Sequence, residues 1–244
     1  MAQIQFYLIA LLFFFPIVGF CNKPAGAEIM KSNTTFHQRT TMLSFLALGD
    51  SYTIGKGLQV DQSWPAQLAV QLRKDKLEID APVIVAATGW TTKDLLKAMG
   101  DSGLEKPYDL VTLLIGANDQ FQGFGEYVYS VEFEKLLVKA IDLAGGNSNR
   151  VIVISIPDYS VTKFGKMLGP AGIRVAIDNF NIINKRFAEN KGAHYVNITE
   201  ISRRAGKDST LTAPDGLHPS AIMYAEWVKI IEPVALSAFG KKVQ

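Results

Sequence analysis

The chain has 244 residues, a length that fits one domain or at most two small ones and suffices for a sizeable core without disulfide or metal staples. Apolar residues make up 48% and charged residues 20%, which excludes a disordered or collagen-like chain. Twenty-five basic against 23 acidic residues leave a net charge of +2. The densest basic cluster is only Arg203-Arg204 with Lys207, so no nucleic-acid partner is expected. One cysteine cannot form an internal disulfide, and no Cys/His spacing suggests a zinc site, so no metal is expected either.

Residues 4–20 (IQFYLIALLFFFPIVGF) carry no charge and are almost wholly apolar, which suits a signal-peptide core better than a membrane span of about 20 residues. Cys21 follows directly and makes the segment resemble a bacterial lipoprotein signal, in which that cysteine is lipidated. Phe20 stands where a small residue is usual, and Met1 to Gln5 hold no Lys or Arg. Cleavage after Ala25-Gly26-Ala27 and retention as an N-terminal anchor are the alternatives. All three predict an exported or membrane-associated protein. Residues 1–21 are thus read as a leader, 22–42 as a polar tether and 43–244 as the working domain.

Within that domain, short apolar runs alternate with helical patterns. The runs are 44–48 (SFLAL), 82–87 (PVIVAA), 110–115 (LVTLLI), 151–156 (VIVISI) and 195–198 (YVNI). The first four lack polar alternation and are predicted to be buried on both faces, as in a parallel sheet. Amphipathic segments at 64–73, 92–99, 131–143 and 172–190 lie between them, and a last helix is predicted to start at Pro219 and run towards Ala238. This order predicts an α/β fold, a three-layer α/β/α sandwich, with its chemistry at the C-terminal strand ends.

Four strand or loop ends carry unusual residues. Gly49-Asp50-Ser51 follows the first strand, where a glycine turn can lift a serine hydroxyl above the sheet edge. A second copy, Gly100-Asp101-Ser102, follows a helical pattern and reads as a helix stop. Thr88-Gly89-Trp90 follows the second strand, where a backbone N–H can approach a ligand with no Cβ in the way. Gly116-Ala117-Asn118-Asp119 follows the third, and an Asn there can offer its side-chain amide to an oxyanion. Asp215-Gly216-Leu217-His218-Pro219 places an acid three residues before a histidine, close enough to orient its imidazole. His37 and His194 have no acidic residue at a comparable spacing.

In this order and spacing the four motifs resemble the SGNH/GDSL hydrolase family, across roughly Phe45 to Val234, with no metal or cofactor. The resemblance implies a five-stranded parallel sheet of flavodoxin-like order. It makes Ser51 the nucleophile, His218 the general base and acid, and Asp215 the partner that orients it. The N–H groups of Ser51 and Gly89, with the side chain of Asn118, would form the oxyanion hole. Those residues imply acyl transfer through an acyl-enzyme on an ester or thioester.

The stretches 49–72 and 116–123 look like the lysophospholipase/thioesterase branch. Tyr52, Trp64, Trp90, Phe121, Phe124, Tyr127, Tyr159 and Phe164 are expected to crowd the rim, with Trp90, Phe121 and Tyr159 contacting substrate. Such a rim predicts a lipid or small-molecule ester. The alternative enzyme is a carbohydrate esterase that removes acetyl groups, and the rival class is a surface lipoprotein that binds without chemistry.

Overall fold

Five short strands are built from the apolar runs: β1 (Phe45–Gly49), β2 (Val83–Ala86), β3 (Leu110–Leu114), β4 (Val151–Ile154) and β5 (His194–Val196). All neighbours are parallel, in the order β2-β1-β3-β4-β5, so the chain reverses direction across the sheet between β1 and β3. This is the flavodoxin-like order, and such a switch opens a crevice at the C-terminal strand ends. The register pairs Gly49 with Ala86 on one side and Leu114 on the other, aligning three strand ends at one edge. This computed structural model describes residues 42–104 and 107–242, all within one compact unit of the chain. The expected leader, Cys21, His37 and nearly all of the tether lie outside the described residues.

The helices are α1 (Ser51–Ile54), α2 (Trp64–Lys74), α3 (Thr92–Asp101), α4 (Ala117–Phe121), α5 (Glu126–Leu143), α6 (Lys163–Met167), α7 (Pro170–Asn190), α8 (Thr199–Arg203) and α9 (Ala221–Ala238). α2 packs with α9 in one layer, while α3, α5 and α7 pack in sequence in the other. The fully buried Trp64, Leu68 and Leu72 of α2 and Trp227 and Ile231 of α9 come from one layer. Tyr129 of α5 stacks on Phe180 of α7 at 3.9 Å in the other. Such large apolar side chains stabilise by roughly 1.5–3 kcal/mol each on burial, which fixes the strand ends they support.

Three expectations are corrected. β2 is an edge strand, and Val83 is 45% exposed, because among the described residues only β1 pairs with it. Pro219 does not open the last helix. It bridges Thr212, and the helix is capped by Ser220, whose Oγ accepts the Met223 N–H. α5 starts at Glu126, five residues before the apolar periodicity suggests, because its first turn is exposed. Gly100-Asp101-Ser102 does terminate α3, as its helical context predicts.

Candidate active site

β1 ends at Gly49, and the Asp50 carboxylate accepts the Tyr52 N–H at 2.9 Å, which caps α1. Ser51 is therefore the first residue of a helix, and its own N–H is one of the orphan donors of a helix start. α1 stays four residues long because Gly55 adopts the left-handed conformation that closes it. Tyr224 of α9 donates to the Tyr52 carbonyl at 2.8 Å and pins the turn from below.

His218 sits on a loop folded back on itself: Ala213 N–H donates to the His218 carbonyl, and Ser220 N–H to that of Leu211. Asp215 holds this loop with both oxygens. Oδ1 accepts the N–H groups of Leu217 and His218 at 2.9 Å each, and Oδ2 contacts His218 Nδ1 at 2.7 Å. Burial pushes the Asp215 carboxyl up, but these backbone donors and the imidazole outweigh it and hold it below the usual carboxylate range. An ionised Asp215 requires the proton on Nδ1, so the Nε2 lone pair faces the Ser51 Oγ at 3.0 Å. The Tyr52 ring, 5.4 Å from the imidazole, backs the pair on its buried side. The three residues are thus brought together from β1's end and a loop 164 positions later.

Gly89 lies in the turn after β2 with φ +84, lines the cleft, and leaves its N–H free of any protein acceptor among the described residues. Asn118 stands in the first turn of α4. Its Nδ2 donates one hydrogen to the Trp90 carbonyl at 2.9 Å, which fixes the amide and leaves the second hydrogen for the cleft. Gly116 precedes it at φ +126, where a Cβ would come within 2.6 Å of Ile156 Cδ1 and Tyr129 Oη, so only glycine fits. Asp119 is fully buried and accepts the N–H and hydroxyl of Thr92, clamping α4 to the start of α3. Ser51, Gly89 and Asn118 all line one cleft, so two backbone N–H groups and a side-chain amide are available there as donors.

The cleft is a cavity of about 170 Å³ walled by Tyr52, Ala117, Phe121, Tyr159, Phe164 and Leu217. Tyr159 Oη donates to Gln120 Oε1 and closes one side. Phe121 and Tyr159 are thus placed where substrate contact was expected. Trp90 is not: it packs half-buried on the core, and only its carbonyl serves the site, as the anchor of Asn118. Trp64 is a fully buried core residue, and Tyr127 is exposed on α5 away from the cleft. Leu217 and Gln120 escaped the sequence reading, because a residue between Asp215 and His218 or after Asn118 has no chemical mark of its own. Burial pushes the Asp50 carboxyl up to about 7, although the Tyr52 N–H opposes it, and one of its oxygens has no hydrogen-bond partner among the described residues.

A serine just past a strand end, a histidine bonded to it with an ionised acid behind, and a flavodoxin-like sheet define a serine hydrolase of the α/β class. The chain belongs to the GDSL-like Lipase/Acylhydrolase family, which it matches over residues 47–226, and it is an ester-hydrolysing enzyme. No curated protein matches it by sequence. Among solved structures it is similar to TesA, at 19% identity and a TM-score of 0.64, covering 80% of this chain and 99% of that one. It is also similar to the psychrotrophic esterase EstA from Pseudoalteromonas sp., solved inhibited by monoethylphosphonate, at 18% identity and TM-score 0.61, over 81% of this chain and 99% of that one. A third is Axe2, an acetylxylan esterase from Geobacillus stearothermophilus, at 20% identity and TM-score 0.60, over 82% of this chain and 95% of that one.

Proposed function

We propose that the chain cleaves carboxylic esters or thioesters of acyl chains, in the manner of a lysophospholipase or thioesterase, through an acyl-enzyme on Ser51. The observation that carries this reading is the Ser51–His218–Asp215 relay, at 3.0 and 2.7 Å, opening onto a cleft with mostly apolar walls. His218 Nε2 takes the Ser51 proton as Oγ attacks the carbonyl carbon. The oxyanion that forms is met by the N–H groups of Ser51 and Gly89 and by the Asn118 amide. His218 then gives its proton to the leaving alcohol or thiol, and water activated by the same nitrogen releases the acid. Asp215 stays ionised throughout and stabilises the imidazolium.

The apolar walls of Phe121, Tyr159, Phe164 and Leu217 support an acyl chain over a sugar. A second reading, removal of acetyl groups from glycans, draws support from the small cavity and from the likeness to an acetylxylan esterase. A series of p-nitrophenyl esters from acetate to long acyl chains separates the two. Best turnover on medium or long chains supports the first, and a sharp preference for acetate replaces it with the second. The apolar run at 4–20 followed by Cys21 further supports an exported, lipid-anchored protein. The mass of the N-terminal peptide from membranes tests that reading: an acylated Cys21 supports it, and an unmodified start elsewhere refutes it.

A further inference from the structure

The wall of the cleft that includes α6 has a second side. Phe164 faces the cleft, its ring 5.8 Å from that of Phe121, which is itself 54% exposed. One helical turn further on the same face, Met167 is 76% exposed and Leu168 47%, so the apolar wall continues outward into solvent. Behind this ridge lies an open groove of about 750 Å³ to which Lys166, Arg174, Arg204 and Lys207 contribute.

The charges there are not all committed. Arg203 is held by Asp158, Asp178 and Glu200, Arg204 by Glu226, and Arg174 lies 3.8 Å from Asp158. Lys163, Lys166 and Lys207 have no carboxylate at ion-pair distance among the described residues. The stem of Lys163 lies against Gly216, in the loop that carries Asp215 and His218. Uncommitted cations therefore flank an exposed apolar tip at the mouth of the cleft.

Apolar prongs within a basic collar match the chemistry of an anionic lipid surface, where headgroup phosphates meet acyl chains. Among the described residues no helix is long and apolar enough to cross a membrane. We propose that this face docks on an anionic lipid bilayer. Met167 and Leu168 enter the acyl boundary, Lys163, Lys166 and Lys207 take headgroup phosphates, and the cleft mouth opens onto the lipid. The use of such docking rests on the acyl-ester reading above, but the docking itself is measured without turnover.

The test uses the full chain with Cys21→Ser and Met167→Cys, the new thiol carrying an environment-sensitive fluorophore. The label reports immersion of the rim itself, whatever else holds the chain to a vesicle. A blue shift is expected with phosphatidylcholine vesicles containing phosphatidylglycerol, with little shift on phosphatidylcholine alone, and it should fade with added salt. Lys166→Glu with Lys207→Glu should weaken the shift at least roughly tenfold in lipid concentration, given the contribution of each basic residue near an anionic surface. The same double variant should keep its turnover of a soluble ester and lose turnover of that ester presented in anionic vesicles. A label at Val138→Cys, on α5, should stay in water. Adding Ser51→Ala should leave docking unchanged, so a failed hydrolysis assay does not bear on it. A Met167 label that does not move with anionic vesicles, moves equally with neutral ones, or ignores the double charge reversal overturns the proposal.

Discussion

Replacing Asn118 by alanine isolates the oxyanion contribution from everything else in the site. The Asn118 amide spends one hydrogen on the Trp90 carbonyl at 2.9 Å and has one left for the cleft. Alanine removes that second donor while Ser51, His218, Asp215 and Gly89 keep their places, since none of them bonds to Asn118. Loss of one such donor raises the barrier by roughly 3 kcal/mol, which at about 1.4 kcal/mol per decade is a fall of ~10²-fold or somewhat more in kcat. The donor acts on charge that exists only in the transition state, so KM should stay within about threefold. The lost bond to Trp90 is half-exposed and should cost about 1 kcal/mol of stability, visible as a small drop in Tm. Steady-state kinetics on a soluble p-nitrophenyl ester, with a thermal melt of each protein, measure all three. A kcat within about fivefold of wild type, or a loss confined to KM, refutes the assignment of Asn118 to the oxyanion.

Asp215→Asn should lower kcat by on the order of 10²–10⁴ with little change in KM, because a neutral amide no longer dictates the imidazole tautomer; a smaller loss than tenfold on the same ester contradicts the Asp215 role. Gly116→Ala places a Cβ within 2.6 Å of Ile156 and Tyr129 at φ +126, so overpacking and strain together should destabilise by about 3 kcal/mol or more in denaturant titration; a loss below ~1 kcal/mol is inconsistent with it. Glu232 of α9 is 6% exposed, and burial, with the neighbouring Asp75 carboxyl, raises its carboxyl to about 7 against the opposing Gln71 and Lys74. Its folded pKa exceeds its ordinary 4.5, so its contribution to stability is full below that value and is lost as pH rises through about 7. Asp50 acts in the same direction, so Glu232→Gln should flatten the alkaline fall of Tm in part; an unchanged slope contradicts the coupling.

Where the fold was legible, buried parallel strands announced themselves by apolar runs without polar alternation. The runs at 44–48, 110–115 and 151–156 differ from β1, β3 and β4 by one or two residues at an end. The run at 82–87 looks the same, yet β2 is half-exposed at the sheet edge, since strand order is a property of the whole chain and leaves no mark on one segment. α1, α4, α6 and α8 are each five residues or fewer, too short for any periodicity, and their ends follow from turns such as Gly55 and Gly116. Pro219 misled for a related reason: a proline suits a first helical turn, but here a bridge to Thr212 claims it. In the site, residues with reactive groups could be named from motifs. The walls could not, because an aromatic such as Trp64 or Phe121 carries no sign of whether it meets the core or the cleft.

The catalytic centre requires Ser51 to be an activated nucleophile. The direct measurement is labelling of the full chain by a fluorophosphonate probe, with the modified residue located by peptide mass, alongside p-nitrophenyl ester turnover. Label on Ser51, lost together with turnover in Ser51→Ala and in His218→Ala but kept in Ser102→Ala, is the predicted result. Turnover that survives Ser51→Ala, or label found on another serine, contradicts it.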